Sequence, residues 1–206
     1  MEIALLNVAK RFRFDWIFKN VDYTFQTGQS YAILGPNGTG KSTFLKILSG
    51  HLSPSKGKVS FHLPNDHTLD IDQVYQKVSY AAPYIDLIEE LSLIEAIEFH
   101  GKFKSFLQGL QPNDLIELLH FQKAIHKEVK YFSSGMKQRL KLVLAICSDT
   151  PILLLDEPTT NLDREGINWY HQLIEKFAGN RLIVVASNVE TDYAFCQKHL
   201  QILDYK

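Results

Sequence analysis

Cysteine is scarce: Cys147 and Cys196 are the only two in 206 residues. They lie far apart and form no metal-binding spacing, which points to a reducing compartment. Long apolar runs are also missing. None approaches the roughly 18–20 residues a helix needs to cross a bilayer, so in a membrane process another subunit would have to do the crossing. No charge of one sign dominates. The formal net charge of −1 argues against a protein held mainly by nucleic-acid phosphates. The start, Met1-Glu2-Ile3-Ala4, lacks the basic region and long apolar core of a secretory signal. There is no repeat, low-complexity tract or linker. What the chain has in quantity is hydrophobic residues, 45% of the total, enough to build the core of one large domain or two small ones.

The stretch that organises the chain is Gly35-Pro36-Asn37-Gly38-Thr39-Gly40-Lys41-Ser42-Thr43, a full match to G-x-x-x-x-G-K-[ST]. The apolar run Tyr31–Leu34 before it suits a buried strand, and Phe44–Leu48 after it has helical spacing. A strand-to-helix turn is the setting in which this motif cradles phosphate. Its glycines allow a tight turn and its N–H groups converge on an anion. The helix adds its positive end. Lys41 is expected to reach the β- and γ-phosphates and the Ser42 hydroxyl to bind Mg²⁺. The bland alternative is a Gly-rich turn that happens to contain Lys-Ser.

Strands are expected over Glu2–Val8, Val21–Phe25, Lys58–Leu63 and Val78–Ala82. The basic aromatic stretch from Lys10 to Trp16 lies between the first two. One of its rings could stack on a purine base; the other reading is packing of a strand edge. From Leu91 to about Ile125 the spacing turns helical, with Pro112 at a helix start. Phe99, Phe103 and Phe106 are expected to bury a helix face in the core, with a partner surface as the alternative. Ser133 or Ser134 caps the next helix. Ile152–Leu155 predicts a central parallel strand ending in Asp156-Glu157-Pro158. Carboxylates there lie where open α/β sheets bind ligands. Asp156 suits Mg²⁺ through water, and Glu157 suits a base that orients or deprotonates the attacking water. The alternative is a helix N-terminal pair helped by Pro158. A helix over Ile167–Phe177, a strand over Leu182–Ala186, a short helix over Glu190–Gln197 and a last strand over Leu200–Leu203 complete an α/β domain with a parallel sheet.

Together these residues resemble an ATP-binding-cassette ATPase over essentially the whole chain. Gly35–Thr43 matches the Walker A loop, and Leu153–Glu157 matches Walker B with the adjoining catalytic glutamate. Asn161-Leu162-Asp163 matches the loop after it, which communicates across the family's dimer. Ser133-x-Gly135-Met136 resembles the LSGGQ signature, with Ser134 where the first glycine usually stands. Phe12 takes the place of the adenine-stacking aromatic. The resemblance implies a P-loop parallel-sheet core with an N-terminal antiparallel β subdomain (residues 1–90 and 149–206) and an inserted α-helical subdomain (residues 91–148). It implies ATP and Mg²⁺ as ligands. ATP would be held by Phe12, by Gly35 through Thr43 and, from the opposite subunit, by Ser133 and Gly135. Ser42 and Asp156 would hold the metal. Pro83 stands where the family has glutamine, and Asn188 where it has histidine. Asn188 can still hydrogen-bond a γ-phosphate but cannot become cationic. Glu157, Lys41 and Asn188 are the expected catalytic residues of a slow ATPase.

The reading that follows is the ATP-hydrolysing subunit of a transporter. It would work as a homodimer or mixed pair, docked on separate membrane subunits at the cytoplasmic face, with no nucleic-acid partner. The similarity to short bacterial export-type cassettes hints at export. The alternative is an ATP-gated regulatory module with little turnover. A soluble cassette in DNA repair or translation fits less well, because such proteins usually carry two cassettes or long inserted arms.

Overall fold

The computed structural model describes residues 1–64, 67–107 and 109–206. In chain order its main elements are β1 (Glu2–Phe12), β2 (Asp15–Gln26), β3 (Ser30–Leu34), α1 (Lys41–Leu48), β4 (Lys56–His62), β5 (Thr68–Leu69), α2 (Ile71–Val74) and β6 (Val78–Ala81). There follow α3 (Leu93–Phe103), α4 (Pro112–Leu119), α5 (Ser134–Ile146), β7 (Ile152–Asp156), α6 (Arg164–Phe177), β8 (Leu182–Ala186), α7 (Glu190–Tyr193) and β9 (Lys198–Gln201). The chain divides into two compact units. One comprises Met1–Tyr80, Pro151–Glu157 and Asn180–Lys206; the other comprises Ala81–Thr150 and Pro158–Gly179.

The first unit holds two sheets, ordered β2-β1-β4-β5 and β6-β7-β8-β3-β9. In the first sheet β1 pairs antiparallel with both β2 and β4. In the second, β7 with β8, β8 with β3 and β3 with β9 all pair parallel. This is the α/β class that the sequence predicts. Every residue of β7 and β8 is buried, as uninterrupted apolar runs require when both faces are covered. The core joins Ile3, Phe25 and Phe61 of the antiparallel sheet to Tyr31, Ile33, Leu154 and Val184 of the other, with Phe44 and Leu48 of α1. Edge-on contacts of Phe44 with Phe18 and of Phe25 with Tyr31, at 5.4 and 4.8 Å between ring centroids, hold α1 and the β1–β2 hairpin to this core.

Two C-terminal expectations shift. The predicted helix over Glu190–Gln197 stops at Tyr193, because the Gln197 N–H donates instead to the Ser30 carbonyl at 3.0 Å. The predicted strand over Leu200–Leu203 forms earlier, as β9, paired from Tyr31–Lys198 to Leu34–Gln201. Past Leu34 the partner strand leaves the sheet, so Ile202–Tyr205 coils into a 3-10 turn. The first strand runs four residues beyond its predicted end and the second starts six earlier, which makes the Lys10–Trp16 stretch the tip of a hairpin.

The second unit is helical. Local signals set its helix starts: Ser92 with Glu95 forms a capping box on α3, and Pro112 opens α4. Ser133 Oγ accepts from Met136 N on α5, and Asp163 Oδ1 accepts from Gly166 N on α6. Leu93, Ile97, Leu115, Leu119, Leu140 and Trp169 are buried. Phe99 and Phe103 are not: they are 41% and 67% exposed, contrary to the expectation of a buried face. Leu93, Ala96 and Ile97 already occupy the inward stripe of α3. The two phenylalanines lie about a quarter-turn away from it and meet each other edge-on at 5.0 Å. Phe106, beyond the helix, stacks on the His100 ring at 5.9 Å.

His100 also hydrogen-bonds Ser148 Oγ at 2.9 Å, and Ser148 in turn donates to the Leu144 carbonyl. Burial first, then the nearby Lys104 charge, push the imidazole pKa down to about 4. The unfolded chain therefore takes up a proton near pH 6.5 that the folded chain refuses until about pH 4. Stability is full above pH 6.5, falls through that window and levels off below it, with a total loss of about 3 kcal/mol. Denaturant melts of the wild type and of His100→Gln across this range should differ in their pH slope. Parallel slopes would remove His100 as the cause.

Candidate active site

Strand register places the two carboxylates at the end of β7. Asp156 on β7 pairs with Ala186 on β8, and Ala186 pairs with Ile33 on β3. One row thus crosses three strand ends, with about 10 Å from the first to the third. At its β3 end the chain enters the Gly35–Thr43 loop. At its β7 end stand Asp156 and Glu157. In the middle, β8 ends at Ala186 and the chain turns through Ser187 and Asn188. All three therefore emerge at one carboxyl-end edge, where parallel sheets gather their ligands.

The loop has the shape its sequence predicts. Gly40 has φ 103, and a Cβ there would lie 2.3 Å from Ile17 Cγ2, so only glycine fits where β2 crosses the loop. Thr39 Oγ1 donates to the Pro36 carbonyl at 2.7 Å. Lys41 opens α1 yet is buried, and its Nζ donates to the carbonyls of Gly35 at 2.7 Å and Pro36 at 3.2 Å. The ammonium thus sits inside the loop. The first turn of α1 has no acidic side chain to oppose an anion at its positive end.

Asp156 is buried, and its Oδ2 accepts from the Tyr80 hydroxyl at 3.4 Å. Glu157 is half-buried with φ 43. Its N–H still donates to the Ala186 carbonyl at 2.9 Å. The left-handed turn thus takes its side chain out of the strand's alternation while the backbone stays in the ladder, at a cost of about 1–3 kcal/mol. Glu157 does not start a helix: the next one, α6, begins at Arg164.

The hairpin tip separates the aromatic candidates. Trp16 carries Arg11 at 5.5 Å and Lys56 at 5.3 Å over its ring. Phe12 is 48% exposed, with Lys10 Nζ 5.2 Å from its centroid. Phe14, at the turn, is almost fully exposed.

In the helical unit, Ser133, Gly135, Arg139, Asn161 and Asp163 line a groove of about 450 Å³. Gly135 passes close to the Asn161 carbonyl: a Cβ there would sit at 3.0 Å. Arg139 lies 3.9 Å from Asp163 and 5.3 Å over Trp169. Pro83 offers its carbonyl to Lys141 Nζ at 2.7 Å, and burial pulls the Lys141 pKa below its usual range. A larger groove of about 530 Å³ in the same unit is lined by Leu118, Trp169, Leu173 and Phe177 together with Asp114, Glu117, His120 and Lys176. Tyr80, Arg139 and Lys141 escaped the sequence reading. Tyr80 counted only as part of a strand, and nothing local says which carboxylate a neighbouring strand will present.

The family model described as ABC transporter matches residues 18–160. The chain belongs to the ABC transporter family. Among its relatives, the uncharacterized ABC transporter ATP-binding protein YybJ of Bacillus subtilis is 29% identical, over 97% of this chain and 92% of that protein. The lantibiotic transport ATP-binding protein SrtF of Streptococcus pyogenes is also 29% identical, over 90% and 79%. The solved dimeric structure of MJ0796, a bacterial ABC transporter cassette, shares 25% identity over 97% of this chain and 94% of that one, with a TM-score of 0.81. A transporter ATP-binding protein from Pyrococcus furiosus, described as putative, has the same fold, with a TM-score of 0.82 over both full chains at 19% identity. The chain is thus an ABC ATPase. Among the described residues, no helix of this cassette is long and apolar enough to cross a membrane.

Proposed function

We propose that this cassette binds ATP in the Gly35–Thr43 loop and hydrolyses it with Glu157, energising transport through separate membrane subunits. The observation that carries this reading is the row from Asp156 through Ala186 to Ile33. It brings Glu157, Asp156 and the entry to the Gly35–Thr43 loop to one sheet edge, which supports their reading as base, metal-binding carboxylate and phosphate loop. Lys41 grips the β- and γ-phosphates, and the loop amides and the start of α1 hold the rest of the triphosphate tail. Phe12 stacks on the adenine with the ring face that Lys10 leaves open.

Mg²⁺ fits the residues present. Among the described residues no group of three or more His, Cys, Asp or Glu could hold a metal by itself. Mg²⁺ does not need one, since it keeps several waters and takes one or two protein oxygens plus substrate phosphates. Ser42 would supply such an oxygen directly and buried Asp156 would hold the ion through water, and the ion would neutralise charge on the phosphates.

Within the helical unit, residues 91–148 serve as the signature-bearing subdomain, presenting Ser133 and Gly135 to ATP held by a second subunit. The amino end of α5 and the groove beside it support that role. The working form is therefore a pair, two copies or a mixed pair, docked on membrane subunits at the cytoplasmic face. Export is the direction that the similarity to short bacterial export-type cassettes suggests.

Turnover is slow, because Pro83 has no side-chain oxygen and Asn188 no positive charge. Asn188→His together with Pro83→Gln should raise phosphate release, by at most about 10²–10³-fold. An unchanged rate in that double variant would clear both positions. The same two residues favour a second reading, an ATP-gated module that closes without turnover. Size-exclusion chromatography in ATP decides between them: a dimer that persists with no ADP formed supports the gate, and one that decays as ADP appears supports the ATPase.

A further inference from the structure

Asn188 is exposed, but the residues that hold its turn are not. Ser187 and Asp192 are 0% and 1% exposed. Ser187 is fixed through three groups. Its N–H donates to the Ile33 carbonyl at 3.2 Å, the last rung before the phosphate loop. Its hydroxyl donates to Asp192 Oδ2 at 2.5 Å. The same oxygen accepts from the Val189 N–H at 3.0 Å. The Asp192 N–H closes the turn on the Val189 carbonyl at 3.0 Å. Asn188 thus stands on a six-residue turn, cross-linked inside by a buried hydroxyl–carboxyl bond and tied to the strand that delivers Gly35.

A buried carboxyl group and hydroxyl are costly unless paired, and this pair lies one residue from the centre of the row that joins the loop to Asp156 and Glu157. We infer that Ser187 and Asp192 are positioning residues for hydrolysis: their bond aims the Asn188 amide at the γ-phosphate. This rests on the reading of Asn188 as a γ-phosphate contact. The chain needs such a device more than a cationic side chain would. A neutral amide acts only through a directed hydrogen bond, and a misplacement of about 1 Å can cost about 10²-fold in rate.

The test is steady-state phosphate release and ATP affinity, measured on the whole chain carrying Ser187→Ala, Ser187→Thr, Asn188→Ala and the Ser187→Ala/Asn188→Ala pair. Ser187→Ala should lower kcat by about 10- to 100-fold, with KM and ATP affinity within about twofold. Ser187→Thr, which keeps the hydroxyl, should recover most of the loss. The pair should be no slower than Asn188→Ala alone, because an aimed group that is absent cannot be misaimed. Asp192→Asn, which keeps an acceptor oxygen, should lose less than Asp192→Ala. Retained ATP affinity confirms in each case that the variant is folded. If Asn188→Ala loses kcat and Ser187→Ala does not, or if the two losses multiply in the pair, the positioning role is wrong while the Asn188 contact stands. Full kcat in Asn188→Ala overturns the contact itself, and the positioning role with it.

Discussion

Glu157→Gln should lower steady-state phosphate release by about 10²–10⁴-fold, the range for removing a general base, and leave ATP binding nearly intact. Glutamine keeps the size of the side chain and can still orient a water, but it cannot take its proton. The backbone has no reason to change: the Glu157 N–H bond to the Ala186 carbonyl and the left-handed φ of 43 involve no carboxyl oxygen. Kinetics should therefore show a fall in kcat without a rise in KM. An ATP-bound dimer should also live longer in this variant, because the step that dissolves it is blocked. Equal rates for the wild type and Glu157→Gln, with and without a membrane partner, would remove this carboxylate from the mechanism.

Lys41→Ala should all but abolish ATP binding. Lys41 is 4% exposed and its ammonium is held inside the loop by the carbonyls of Gly35 and Pro36, so its charge meets a phosphate with little competing water. Losing a partner of this kind costs about 2–5 kcal/mol, a rise in Kd of roughly 30- to 5,000-fold. Retention on immobilised ATP is the direct readout, with a thermal melt as the control for folding. The core around α1 is built by Phe44, Leu45, Ile47 and Leu48, none of which contacts ATP in this scheme, so the melt should move little. Retention equal to that of the wild type would refute the nucleotide site altogether.

These two residues also mark how far the sequence was legible. Lys41 belongs to a motif closed over nine positions, and nearly everything that shapes it is local. The glycines set the turn, the apolar run before it makes the strand, and the helix after it starts where the spacing changes. The helix caps at Ser133 and the start at Pro112 were readable for the same reason. Glu157 was readable as a residue type at a strand end, but its backbone conformation was not. Phe99 and Phe103 show the opposite failure. Their spacing fits a helix face, yet spacing alone cannot say which of two neighbouring apolar stripes is covered. Leu93, Ala96 and Ile97 took that place.

The sequence by itself determined the phosphate-binding loop, the buried character of β3, β7 and β8, the helix starts and the ABC resemblance, because each is carried by residues within a few positions of one another. Only the tertiary structure decided that β8, late in the chain, would lie between β3 and β7. From that one fact follow the alignment of Asp156 with Ile33, the place of Asn188 between them and the bond from Ser187 to the loop strand. A buried parallel strand is apolar along its whole length, so its residues announce burial and leave unstated which strand lies beside them; neighbours are chosen by how the intervening helices and sheets pack.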